Sequence, residues 1–137
     1  MSAVLVRAAL ETALAAMSPS LSTAYENRPF VPPVASAAYQ RCYVRFAEPE
    51  MLEMSGHIHR EQGFMQVSLC YPLSAGPGAA EARAELIRAT FYAGAEFTSG
   101  GVTVRVEKTP ELSTPQIEED RFVIPVRVRF YAHVVRT

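Results

Sequence analysis

The chain has 137 residues, 49% of them hydrophobic and 20% charged, with 13 Lys+Arg against 14 Asp+Glu for a formal net charge of −1. That length and balance fit one globular domain with a real core. They exclude nucleic-acid binding by bulk positive charge, and no apolar run reaches the length of a membrane span.

Met1 to Arg7 lacks a basic stretch ahead of an apolar one and reads as no signal peptide. Residues 3–17 read as a helix: Val6, Leu10, Ala13, Leu14 and Met17 form one apolar stripe. Ser18-Pro19 ends it, because the residue before proline avoids the helical region. About twenty residues without a period follow. Tyr25, Phe30, Val31 and Val34 call for burial, while Pro29, Pro32 and Pro33 hold the backbone extended. Loops of this length in compact domains carry function or disorder. Residues 18–40 therefore read as a preformed arm that packs on its own domain or on a neighbouring subunit.

Residues 41–47 alternate as a strand, with Cys42, Val44 and Phe46 opposite Arg41, Tyr43 and Arg45. Residues 48–61 are polar and irregular, with a weakly signalled short strand. Residues 63–71 form a second strand, Met65, Val67, Leu69 and Tyr71 opposite Phe64, Gln66, Ser68 and Cys70. Cys42 and Cys70 read as two buried free thiols in a reducing, intracellular setting. A second helix spans 78–93, with Pro77 in its first turn and Gly94 as its stop. Ala80, Ala84, Ile87 and Phe91 form its core stripe; Glu81, Arg83, Glu85 and Arg88 form its wet side. Residues 95–98 and 102–108 read as strands joined by a Ser99-Gly100-Gly101 hairpin turn. A loop over 109–119 leads to the longest strand, 122–134. There Pro125 demands an edge position or a bulge. The expected fold is α+β: two main helices packed on one face of a mostly antiparallel sheet, in a single domain over 1–137. The other face is expected to be polar and open.

No motif nominates an enzyme. His57-x-His59 with Glu61 has chelating types at strand spacing but reads as solvated, and His133 reads as a surface residue. Glu118-Glu119-Asp120 reads as a solvated acidic run. No serine sits in a nucleophile motif, and Gly76-Pro77-Gly78 is too short for a phosphate loop. No cofactor is expected. The polar face of the last strand is more suggestive. Arg127, Arg129 and Tyr131, with Arg105 from a neighbouring strand, are residue types favoured at interfaces.

Taken in order, the Ala-rich first helix, Thr23-Ala24-Tyr25-Glu26-Asn27-Arg28-Pro29-Phe30-Val31-Pro32, and Tyr39-Gln40-Arg41 resemble the phage tail terminator-like family. Gly63-Phe64-Met65-Gln66-Val67, Tyr71-Pro72-Leu73, Gly100-Gly101-Val102-Thr103-Val104 and Ile124-Pro125-Val126 extend the resemblance over nearly the whole chain. The resemblance implies a small structural subunit of a phage or prophage virion. It implies a ring, usually hexameric, that caps the tail tube, ends its polymerisation and offers a surface to the head. The implied partners are copies of itself, the tail tube protein and a head-completion or connector protein, with DNA only as passing cargo and no membrane. The implied location is the virion tail, and the bacterial host cytoplasm during assembly. The expected interface residues are Tyr25, Asn27, Arg28, Pro29, Phe30, Arg105, Arg127, Arg129 and Tyr131. Two other readings stay open: another head-tail connector or tail-completion protein, and a small-ligand-binding α+β domain, which would need a pocket with converging polar groups.

Overall fold

The computed structural model describes residues 2–34, 37–52 and 58–135. Helix α1 spans Ser2–Ala15 and helix α2 spans Gly78–Thr90. The strands are β1 (Thr23–Tyr25), β2 (Tyr39–Phe46), β3 (Glu50–Met51), β4 (Ile58–Pro72), β5 (Glu96–Ser99), β6 (Val102–Val106), β7 (Glu111–Leu112), β8 (Gln116–Glu118) and β9 (Arg121–Val135). Among the described residues they form one sheet in the order β1-β2-β4-β9-β6-β5. Strand β3 pairs with β4, and β7 and β8 pair with β9.

Period-2 patterning decides which face is buried. Cys42, Val44, Met65, Val67, Leu69, Ile124, Val126, Val128 and Phe130 alternate onto one side, where both helices pack. Val6, Leu10, Leu14 and Met17 of the first helical stripe join Ala80, Ala84, Ile87 and Phe91 of the second in a single core. Burial of this kind is worth about 1.5–3 kcal/mol for each large apolar side chain. Cys42 and Cys70 are buried free thiols, and burial pushes the Cys42 thiol up to about 12.

Local chemistry sets the connections. Gly100 and Gly101 have φ of +54° and +84°, and Ser99 lies opposite Val102. A two-residue hairpin of this hand needs positive φ at both positions, which glycine adopts without strain. The Pro125 carbonyl accepts the Ser113 N–H, so its missing N–H faces the same side of β9. That is where the pairing on this edge breaks between β7 and β8. Pro125 thus marks an interruption on one edge of a central strand, while β4 pairs along the whole of the other.

Four expectations need correction. The sheet is mixed, because β1, formed by the start of the arm, pairs parallel to β2. Strand β4 begins at Ile58, so the irregular stretch is shorter than its polarity suggests. Arg83 is not on a wet side: it is 4% exposed and donates to the Pro19 carbonyl across the α1–β1 connection. Its burial lowers its pKa. Finally, the second sheet face is not wholly open, since Cys70, Ser68, Val123 and Arg121 on it are buried.

Strands β2 and β4 approach too closely at one point for any side chain. A Cβ on Gly63 would lie 2.1 Å from the Arg45 carbonyl oxygen. Gly63→Ala is expected to lower stability by about 1–3 kcal/mol, since backbone must move to admit the methyl group. Urea unfolding of the variant beside the wild type checks this; an unchanged midpoint would contradict the pairing of Gly63 with Phe46.

Candidate functional site

The arm leaves the sheet at Tyr25 and returns at Tyr39. Its first clamp is the Glu26 carboxylate. Oε1 accepts the Arg7 guanidinium of α1 at 2.8 Å and the Val44 N–H of β2 at 2.7 Å, while Oε2 accepts Arg45 at 2.7 Å. Strand β1 stops at Tyr25, opposite Cys42, so the Val44 N–H has no strand partner on that edge. The carboxylate takes its place and satisfies a donor that would otherwise be orphaned. Burial pushes this carboxyl up, but Arg7, the Val44 N–H and Arg45 outweigh burial and hold it at about 2. Asn27 then turns the chain with φ of +54°, a conformation asparagine tolerates better than most residues.

The second clamp is Arg121, the first residue of β9, which is 5% exposed. Its guanidinium donates to the carbonyls of Pro33 (2.9 Å), Val34 (3.0 Å) and Ala37. Arg121 also lies over the Tyr39 ring at 5.0 Å, and Phe30 packs on Tyr39 with ring centroids 5.4 Å apart. Prolines supply no N–H donors, so a proline-rich segment is held through its carbonyls, and arginine offers the planar array of donors to do it. Between the clamps, Val31 and Val34 are 88% and 72% exposed. Pro32 and Pro33 border a cleft of about 360 Å³ over Cys70 and Val123.

The second feature is the arginine-rich sheet face. Arg41 pairs with Glu118, Arg45 with Glu26, Arg60 with Glu107, Arg105 with Glu96 and Arg129 with Glu111, all within 3.2 Å. Aromatic rings brace several of these cations: Arg45 over Tyr43 at 4.5 Å and Arg60 over Tyr131 at 4.2 Å. The arginines come mainly from the central strands and the glutamates from edges and loops. Arg127 has no carboxylate partner among the described residues. It lies over Phe64 at 4.0 Å and donates to Gln66 Oε1 at 3.1 Å.

The expected interface residues therefore fall into two groups. Tyr25, Asn27, Arg28, Pro29 and Phe30 belong to the arm, with Arg28 above the Tyr25 ring. Tyr25 packs on the subunit's own core, whereas Asn27, Arg28 and Pro29 are exposed. Arg105, Arg127, Arg129 and Tyr131 meet on the arginine face, with Arg105 opposite Tyr131. His57 lies outside the described residues; His59 pairs with Glu61 at 3.0 Å, and His133 is exposed against Tyr131. Among the described residues no cluster could hold a metal ion.

Likeness to known proteins assigns this fold to a family. A family model described as phage tail terminator protein matches residues 5–130. The chain belongs to the phage tail terminator protein family. Membership gives it a structural role in a phage tail, as a component of the virion. A solved structure with 30% sequence identity superposes with a TM-score of 0.76, over 96% of each chain. No curated protein matches. The matched span runs from Leu5 in α1 to Phe130 in β9, so both clamps lie within the terminator domain.

Sequence reasoning did not foresee the two clamps. Glu26 stands inside the Thr23–Pro32 motif, and its signal was a lone carboxylate in an otherwise apolar, proline-stiffened arm. Arg121 follows the acidic run with no motif around it; Asp120 Oδ1 is 3.8 Å from it, and the arm carbonyls are closer.

A carboxyl at about 2 instead of its ordinary 4.5 stabilises the fold fully above pH 4.5, and that stabilisation is lost as pH falls through 2. Glu26→Gln is expected to cost about 1–2 kcal/mol at neutral pH, after discounting for partial exposure, and to flatten the acid limb of the stability curve between pH 4.5 and 2. Urea melts at stepped pH check both, and parallel curves for the two proteins would contradict the clamp. Arg121→Ala is expected to cost about 2–3 kcal/mol and to speed proteolysis within residues 28–38, because charge-assisted bonds to the arm carbonyls are lost. Wild-type cleavage rates would argue that the arm is held by other contacts.

Proposed function

We propose that this tail terminator subunit caps the tail tube as a closed ring, ends tube polymerisation and forms the surface that meets the head. Its partners on this reading are further copies of the chain, in a hexamer, with the tail tube protein below and a head-completion or connector protein above. DNA passes through as cargo, and the subunit does no catalysis. It acts in the virion tail after assembly in the host cytoplasm.

The observation that carries the reading is the arm. It is clamped at Glu26 and at Arg121, yet presents Val31 and Val34 to solvent. Anchoring removes most of the entropy that a free segment would lose on docking. Exposed valines on such a segment contribute nothing to the isolated fold and gain apolar burial only against another chain. Side-to-side contacts between different patches generate a ring if the rotation closes and a filament if it does not. A tube cap requires closure, which the tube end itself would template.

Val31→Asp is expected to leave the thermal melt of the isolated subunit within about 0.5 kcal/mol of wild type, as for a surface change. The same variant is expected to fail to form caps on tails. Electron microscopy of terminator-deficient tails incubated with either protein reads the outcome. Full caps from the variant, or a single copy per tail from the wild type, would overturn the reading.

A further inference from the structure

On the arginine face, five guanidiniums are bonded to five glutamates of the same chain. Arg127 at its centre lies across from Glu111, whose carboxylate is bonded to Arg129, and among the described residues no carboxylate bonds Arg127 itself. Its Nε is buried without a partner among the described residues, and one of its terminal nitrogens donates to Gln66 Oε1. Phe64 beneath it fixes the plane of the guanidinium. A cation held flat over a ring, whose neighbouring carboxylate is engaged by another arginine, can take a carboxylate from outside. The internal pairing also argues against nucleic acid as the ligand. Counter-ion release requires several cations facing phosphates, and the other arginines of this face are already matched by carboxylates.

The complementary element lies on the same chain. Strands β8 and β9 are joined by Glu119-Asp120, with Glu118 opposite Arg121. Glu119 has φ of +53°, and Glu119 makes no ion pair among the described residues. Asp120 is 62% exposed at its side chain and among the described residues pairs with Arg121 alone, at 3.8 Å. Ile117 beside them is 71% exposed. This is an acidic knob with an apolar shoulder, and the face opposite to it in character is a cation beside an aromatic ring. Within one chain the two cannot meet: seven residues of extended β9 separate Asp120 from Arg127, about 23 Å.

We infer that the Glu119-Asp120 turn of one subunit docks on the arginine face of a second copy, its carboxylate pairing with Arg127 and Ile117 packing near Phe64. The contact joins two different patches, so it is the head-to-tail kind that a ring needs. It rests on the proposed ring and names the surfaces that would close it.

The test is a charge exchange in the full-length protein, read by sedimentation velocity at high concentration and by electron microscopy on terminator-deficient tails. Arg127→Glu and Asp120→Lys are each expected to weaken self-association roughly tenfold or more. The double variant is expected to recover to within about threefold of wild type, as for a direct charge pair. Asp120→Lys changes an exposed turn and Arg127→Gln removes the charge without reversing it, so circular dichroism of these two guards against misreading a folding defect. Rings that tolerate Arg127→Glu, or a double variant no better than the singles, overturn this contact and leave the ring standing. Variants that self-associate normally but fail to bind tails overturn it in favour of an acidic surface on the tube. A wild-type protein that closes no ring in solution or on tails overturns both.

Discussion

The carboxylate of Glu26 is the contact on which this architecture turns. One side chain ties three elements: Arg7 on the first helix, the Val44 N–H on the edge of the sheet and Arg45 on the opposite face. It ends the short parallel strand by replacing the next backbone acceptor, and it fixes where the arm begins. Removing it would leave a backbone donor and two guanidiniums competing for water at a half-buried edge, where unpaired polar groups are costly.

Arg121 completes what Glu26 starts. A proline-rich strap cannot join a sheet by its own donors, so its path is set by its carbonyls, and a buried guanidinium gathers three of them. The described part of the arm is thereby tied to its own subunit at both ends and turns Val31 and Val34 outward. This reconciles two properties that looked like alternatives. Tyr25 and Phe30 pack on their own domain, while Val31 and Val34 stay exposed. On the arginine face most of the positive charge is likewise cancelled locally, by carboxylates of the same chain.

Much of the fold was legible from periodicity. The alternation of residues 122–134 and of 63–71 identified the two central strands, the stripes of Val6 to Met17 and Ala80 to Phe91 identified the helices, and Gly100-Gly101 identified the hairpin. These are local signals, repeated every two or every three to four residues. What stayed hidden depends on single long-range contacts. Strand β1 is three residues long and owes its existence to the edge of β2, so no period announces it. Arg83 occupies a position between stripe and surface, and its burial beside the Pro19 carbonyl depends on chain far away in sequence. Cys70 and Val123 are covered because the arm crosses above them, which alternation on their own strands cannot report. The expected interface residues were chosen by type, and the structure sorts them into an arm group and a face group without bringing the two together.

If the clamps hold, the arm is ordered before any partner arrives. Backbone ¹⁵N relaxation on the isolated subunit tests this most directly, at Asn27, Arg28, Phe30, Val31 and Val34. Order parameters close to those of the central strands, roughly 0.8 or above, are expected in the absence of tails and at concentrations where the protein is monomeric. Values below about 0.6 at these positions, with strands β4 and β9 rigid in the same sample, would mean that the clamps do not hold in the free subunit and that the arm takes its shape only in the assembly.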